Sequence, residues 1–187
     1  MKKNLLIAFS GMDGSGKTTV ARKLETYMKK KGYCVFFKHA HGYAVSKNSF
    51  AIGEKNIKRF RWLFFLLSPL MLLDSFFTYY FKYKPQLEHD TVICDRYFYD
   101  KVARMLYYNI TNKFIAGIYL SFLPRPDYLF YLSVSSHNAK LRKNEYSIKD
   151  YERFKKIYHF IAAKTNAVVI NADLPLSSVF NKIISYV

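Results

Sequence analysis

Gly11-Met12-Asp13-Gly14-Ser15-Gly16-Lys17-Thr18, entered from the apolar run Asn4 to Ser10, is the stretch on which the fold turns. The run reads as a strand buried on both faces. Helical spacing begins at Thr18 and continues through Val20, Leu24, Tyr27 and Met28, closing at Gly32. A strand, a glycine-rich turn and a helix N-terminus in that order form the setting in which G-x-x-x-x-G-K-[ST] is informative. Glycines let backbone N–H groups converge on an anion, and the helix end adds its positive pole. Lys17 can reach the outer phosphates of a nucleotide, and the Thr18 hydroxyl can join the shell of a Mg²⁺ ion. Gly11, Gly14, Ser15, Gly16, Lys17, Thr18 and Thr19 are therefore the candidate phosphate-binding residues.

Further strands are expected at Tyr33–Lys38, Thr91–Cys94, Asp127–Val134 and Ala167–Ile170, each short and rich in Val, Ile, Phe, Tyr or Cys. Helical spacing at Tyr151, Phe154, Tyr158 and Ile161 separates the last two, and a short helix is expected after Pro175. Alternating strands and helices imply right-handed crossovers and an α/β, doubly wound parallel sheet, with ligands at the carboxyl ends of the strands.

The second constellation is Val92-Ile93-Cys94-Asp95-Arg96-Tyr97, where an apolar strand delivers a carboxylate and a guanidinium to its carboxyl end. Asp95 can hold Mg²⁺ through water or take a proton. Arg96 offers a planar fork to a phosphate on either substrate.

With 187 residues, 51% of them hydrophobic and 23% charged, the chain can bury a sizeable core and is read as one domain, residues 1–187. Thirty Lys and Arg against 13 acids give a net charge of +17, a field that attracts nucleotides, nucleic acid or anionic membrane. Cys34 and Cys94 lie in apolar runs and are expected as reduced core thiols, which favours a cytoplasmic setting. No secretory leader is apparent at the start. Trp62 to Leu73 is uncharged and continues past Asp74 as Ser75 to Phe81, but Asp74 and Pro69 inside it argue for a core helix over a membrane span. His39 and His41 lack the further ligands that a zinc site needs.

Together the Asp13-Gly14-Ser15-Gly16-Lys17-Thr18-Thr19 loop, Asp95-Arg96-Tyr97 and Pro126-Asp127-Tyr128-Leu129-Phe130-Tyr131-Leu132 resemble the thymidylate kinase family of phosphate-loop nucleoside monophosphate kinases. The resemblance runs in order over nearly the whole chain. It implies five parallel strands flanked by helices and transfer of the γ-phosphoryl of ATP, with Mg²⁺, to a nucleoside monophosphate, dTMP by default. It also implies a homodimer. Carried over by position, Asp13 meets the acceptor sugar, Lys17 and Thr18 the ATP phosphates and metal, and Arg96 the transferred or acceptor phosphate. Asp95 assists at the metal or acceptor oxygen, and Tyr97 lies on the acceptor side. A lid follows the fourth strand at about 136–149, with Arg142 its candidate catalytic arginine and Lys143 and Arg153 nearby.

The chain departs from the family pattern at Lys38-His39-Ala40-His41-Gly42-Tyr43, at Asp74 and Ser75 where an acceptor-binding arginine is usual, and at Asp100, Ala103, Arg104 and Met105. A different small acceptor, such as a nucleoside or another phosphorylated metabolite, is the alternative. A non-catalytic nucleotide-binding protein that uses the positive charge on nucleic acid or membrane is the other. The aromatics of the apolar helix are read as a dimer face, with Phe64 a candidate for stacking on the acceptor base.

Overall fold

The computed structural model describes residues 4–39 and 59–187. Five strands, β1 (Leu6–Ser10), β2 (Val35–His39), β3 (Thr91–Asp95), β4 (Tyr128–Ser133) and β5 (Val168–Asn171), form one parallel sheet in the order β2-β3-β1-β4-β5. β1 is central. Leu6, Ile7, Ala8 and Phe9 are at most 1% exposed, as a strand covered on both faces requires. Each large side chain so buried contributes about 1.5–3 kcal/mol.

The helices of the described residues are α1 (Lys17–Lys30), α2 (Arg61–Thr78), α3 (Lys84–Leu87), α4 (Phe98–Tyr107), α5 (Lys113–Phe122), α6 (Ser136–Arg142), α7 (Ile148–Thr165) and α8 (Leu176–Ile184). A π-helical turn, Tyr79–Tyr83, joins α2 to α3. α1 and α8 pack together on one side of the sheet, while α7 packs on β4 and against α4 and α5.

Because β1 pairs with β3 on one side and β4 on the other, the chain reverses its direction of winding there. The register sets Phe9 beside Asp95 and Ser10 beside Tyr131, so the carboxyl ends of the three central strands open a crevice at one level.

The expectation of a buried Cys34 is corrected. β2 is an edge strand of half-buried residues, and Cys34 precedes its first rung, so the thiol is exposed. Cys94 on β3 is fully buried, and burial pushes its thiol up to about 12.

One buried carboxylate locks the crevice together. Asp100, only 6% exposed, accepts from Ser10 Oγ at 2.8 Å, from the Tyr97 backbone N–H at 2.9 Å and from the Tyr158 hydroxyl at 2.7 Å. It thereby caps α4 and ties that helix to β1 and α7. Asp100→Ala strands two buried hydroxyls and a backbone N–H, a loss of about 3 kcal/mol. Thermal denaturation should show a fall in Tm of about 6–12 °C.

Candidate active site

The phosphate loop leaves β1 and closes into α1 through backbone geometry that few residue types permit. Gly14 has φ +83°, and a Cβ there would stand 2.6 Å from the Ala139 carbonyl oxygen of α6. Gly11, at φ +147°, would meet the Leu132 carbonyl oxygen of β4 at 2.8 Å. Both demand glycine on grounds of φ and of space.

α1 then begins at Gly16 with no side-chain cap and no acid in its first turn. By contrast Asn112, Ser135 and Ser147 each cap the helix they precede with a side-chain oxygen. The N–H donors at the start of α1 are thus left for an external anion, with the helix dipole behind them.

Lys17 folds back over this loop. Its ammonium donates to the Met12 carbonyl at 2.7 Å and to Ser15 Oγ at 3.3 Å, and only 5% of the residue is exposed. Burial, and then the neighbouring Arg96 cation, lower its pKa from an ordinary 10.5 to about 8 against the opposing pull of Asp100, Asp13 and Asp95. A cation held this way, with its donors on easily displaced acceptors, is suited to a phosphate chain.

On the other side of the crevice Asp95 is fully buried. Its Oδ2 accepts from the Thr18 hydroxyl at 2.6 Å and lies 2.7 Å from His39 Nδ1. Its Oδ1 is buried without a hydrogen-bond partner among the described residues. An unpartnered carboxylate oxygen beside a hydroxyl fits a hard cation such as Mg²⁺, which takes one or two carboxylates and completes its shell from water and phosphate. Among the described residues there is no cluster of three or more His, Cys, Asp or Glu that could hold a metal alone.

Arg96 follows at φ +77°, a strained conformation for a side-chain-bearing residue. Its backbone N–H donates to the Phe9 carbonyl at 3.0 Å, and that contact at the β1–β3 junction holds the turn. The turned side chain pairs with Asp13 across the phosphate loop, while its Nε is buried without a partner among the described residues. Burial alone would raise the Asp13 carboxyl, but Arg96 and Lys17 outweigh it and hold the group below its usual range. Arg96 itself is pushed further toward the charged form by Asp13 and Asp100, against the effect of burial.

The candidate residues fall into two groups. Asp13, Lys17, Thr18, Asp95 and Arg96 converge on the crevice. Arg142, at the end of α6, also lies near the loop, where its Nη1 donates to the Ala172 carbonyl at 3.1 Å. With Ser15, Gly16 and Thr19 it lines a cleft of about 220 Å³ whose other wall is Val20, Leu174, Leu176 and Val179.

Tyr97 and Phe64 are not at the crevice surface. Tyr97 is 2% exposed and its hydroxyl donates to the Pro124 carbonyl at 2.9 Å, because the residue is the N-cap of α4 with its ring turned into the core. Phe64 lies on the buried face of α2 against Met105 and Ile110. Arg153 is likewise committed elsewhere, to the Leu106 carbonyl at 3.3 Å and Asn109 Oδ1 at 2.6 Å. A larger cavity, about 700 Å³, lies beside Arg153 among α4, α5 and α7 and has no wall in the phosphate loop. His41 and the rest of the divergent segment after His39 are outside the described residues.

The sequence reading missed three features here. From the sequence His39 reads as an acceptor contact or a plain loop residue and weakly as a metal ligand, yet β2 ends level with Asp95, so pairing register alone brings the two together. The cleft wall comes from the turn after β5 and from α8, too far along the chain for spacing to signal. Lys101 on α4 reaches Asp74 of α2 at 3.0 Å and Ser75 Oγ at 3.3 Å, so a cation does stand where the resemblance implies an arginine, but from a different helix.

The sequence profile of the thymidylate kinase family matches residues 9–183. The chain belongs to the thymidylate kinase family. A probable thymidylate kinase of Methanococcus aeolicus is 31% identical over 165 residues, covering 86% of this chain and 77% of that protein. One from Sulfurisphaera tokodaii is 29% identical over 190 residues, covering 97% and 94%. Among solved structures, a deoxyadenosine kinase from M. mycoides superposes with a TM-score of 0.62 over 96% of this chain and 97% of that one, at 20% identity, a likeness of fold. In this fold the crevice of Lys17, Asp95 and Arg96 lies at the carboxyl ends of β1 and β3.

Proposed function

We propose that the protein transfers the γ-phosphoryl of ATP to a nucleoside monophosphate, dTMP to dTDP by default, in the cytoplasm. The observation that carries this reading is the convergence of Lys17, the Thr18–Asp95 pair and the Arg96–Asp13 pair at the ends of β1 and β3. Phosphoryl transfer asks mainly for positioning and charge neutralisation, and the crevice supplies both without a nucleophilic side chain.

In this reading the triphosphate lies along the N–H groups of the phosphate loop, with the Lys17 ammonium on its outer oxygens. The adenine enters the cleft between Arg142 and the Leu174, Leu176 and Val179 wall. Thr18 and Asp95 would hold Mg²⁺, which would supply charge neutralisation to the phosphate chain. Arg96 turns from Asp13 toward the phosphate being transferred or accepted, using the donor at Nε that has no partner among the described residues. Asp13 is then free to accept from the acceptor sugar. Residues 136–149 act as a lid within a single domain spanning 1–187, with Arg142 closing on the developing charge.

Titration of Lys17 supplies a pH test of this assignment. Below pH 8 the free protein already carries the ammonium that the phosphates need. Above it the group has lost its proton and must regain it on binding, so MgATP affinity falls as pH rises from about 8 toward 10. Calorimetry at pH 8.5 in two buffers of different ionisation enthalpy should register proton uptake. Its absence would remove Lys17 from the phosphate contact.

A second reading, the same transfer to a nucleoside or another small phosphorylated acceptor, is favoured by the Lys101–Asp74 pair where the family pattern has an arginine on α2. An ADP-release assay over nucleosides, monophosphates and sugar phosphates separates the two. Turnover greatest with dTMP supports the first reading, turnover only with another acceptor supports the second, and none with any acceptor eliminates both. The homodimer implied by the family resemblance would use the outward face of α2, where Trp62, Leu66, Leu70 and Phe77 are exposed.

A further inference from the structure

β2 lies at the edge of the sheet, and its alternate residues Phe37 and His39 turn to the side covered by α1. The guanidinium of Arg22 stands 3.7 Å from the centre of the Phe37 ring. Thr18 is four residues earlier on α1, one turn back along the same face, and its hydroxyl reaches Asp95. The pairing register of β2 with β3 sets His39 opposite Asp95, with both side chains on one face of the sheet. Three elements, β2, β3 and α1, therefore bring His39, Asp95 and Thr18 to one point.

Asp95 is fully buried, and its two oxygens have different surroundings. Oδ2 accepts from the Thr18 hydroxyl at 2.6 Å and from His39 Nδ1 at 2.7 Å, while Oδ1 has no hydrogen-bond partner among the described residues. A carboxylate oxygen has no proton to give, so Nδ1 of His39 carries the hydrogen of that contact. By donating its own proton to Oδ2, the Thr18 hydroxyl keeps its lone pairs for a cation. The torsion that turns a carboxylate about its Cβ–Cγ bond is broad and two-fold. One donor on Oδ2 leaves that rotation open, whereas two donors from separate elements fix the plane of the group and keep Oδ1 clear of protein donors.

On the phosphoryl-transfer reading, in which Thr18 and Asp95 would hold Mg²⁺, we infer that His39 is a positioning residue: its Nδ1–H holds the Asp95 carboxylate in the orientation that leaves Oδ1 open to a divalent cation. His39 lies in a stretch where the chain departs from the family pattern, so the contact is a feature of this chain's own residues. The imidazole is committed through Nδ1 to the carboxylate and acts on the ion through Asp95. Hydrogen-bond partners of metal ligands carry about 10–100-fold in metal affinity or activity.

Two replacements of similar shape separate the hydrogen bond from the bulk of the ring. Asn places Nδ2–H as many bonds from the backbone as Nδ1 of His, and Leu branches at the same carbon with no polar atom. Mn²⁺, followed by electron paramagnetic resonance in the presence of a non-hydrolysable ATP analogue, reports metal affinity without turnover. His39→Leu should weaken Mn²⁺ binding about tenfold and raise the Mg²⁺ concentration for half-maximal turnover by a similar factor. Its kcat at saturating Mg²⁺ and its KM for the acceptor should each change less than about threefold. His39→Asn should recover Mn²⁺ affinity to within about threefold of wild type. Binding of the metal-free analogue, in EDTA, should be the same in all three proteins.

Unchanged Mn²⁺ affinity in His39→Leu, in a protein that turns over, overturns the inference and leaves the kinase reading standing. A loss that His39→Asn does not recover assigns the residue to packing at the sheet edge, and a raised acceptor KM in place of weakened metal binding makes it an acceptor contact; either result overturns the inference. Wild-type protein that binds no Mn²⁺ with the analogue removes the metal site itself, and with it the reading on which the role of His39 rests.

Discussion

Lys17→Met should lower turnover by about 10³-fold with no loss of thermal stability. The ammonium is buried, so its removal relieves a desolvation cost in the free protein while methionine fills the same space. The Met12 carbonyl keeps the Ser15 backbone N–H as a donor, at 3.2 Å. What is lost appears when a phosphate chain lies in the loop and one of its charges goes unanswered. Removing a single preorganised donor from developing charge costs about 10²–10³-fold, and a full cation lies at the upper end of that range. Single-turnover kinetics and Tm measured together check it. A variant that unfolds, or one that keeps wild-type turnover, contradicts the assigned role.

Arg96→Gly should reduce kcat/KM for the acceptor by about 10³-fold and change MgATP affinity less than threefold. Glycine is the informative replacement because Arg96 sits at φ +77°, where alanine would keep about 1–2 kcal/mol of strain that glycine releases. That release offsets part of the loss of the partner of Asp13. The asymmetry follows from position. In the proposed assignment Lys17 and the loop amides face the donor, whereas Arg96 rises from the end of β3 and pairs with Asp13, and neither of the two lines the cleft beside Gly16 and Val179. Equal losses in both affinities would place Arg96 on the donor phosphates instead.

The parts legible in the sequence are those whose requirement is local. Gly11, Gly14 and Gly16 announce a turn that other residues cannot make, and Val92 to Asp95 announces a buried strand that delivers a carboxylate to its end. The three central strands, β3, β1 and β4, are legible close to their observed bounds because central strands of a parallel sheet are apolar without interruption.

What the sequence concealed depends on partners far along the chain. Asp100 looked like a departure in an acceptor-side motif, yet it is a buried hub for Ser10, Tyr97 and Tyr158. Its Tyr97-x-x-Asp100 spacing was the visible trace of a helix cap. Phe64 could not be placed by periodicity because α2 is apolar on both faces, leaving no contrast to show which one turns inward. Cys34 was misplaced for a related reason, since an apolar run does not reveal that its strand lies at the edge of the sheet.

Crystals grown with Mg²⁺ and a non-hydrolysable ATP analogue test the central claim most directly. The account predicts the triphosphate against the backbone N–H groups of Gly14 to Thr18, Lys17 on its outer oxygens and the metal beside Thr18 and Asp95. A triphosphate bound elsewhere, with this loop left empty at saturating nucleotide, would contradict it.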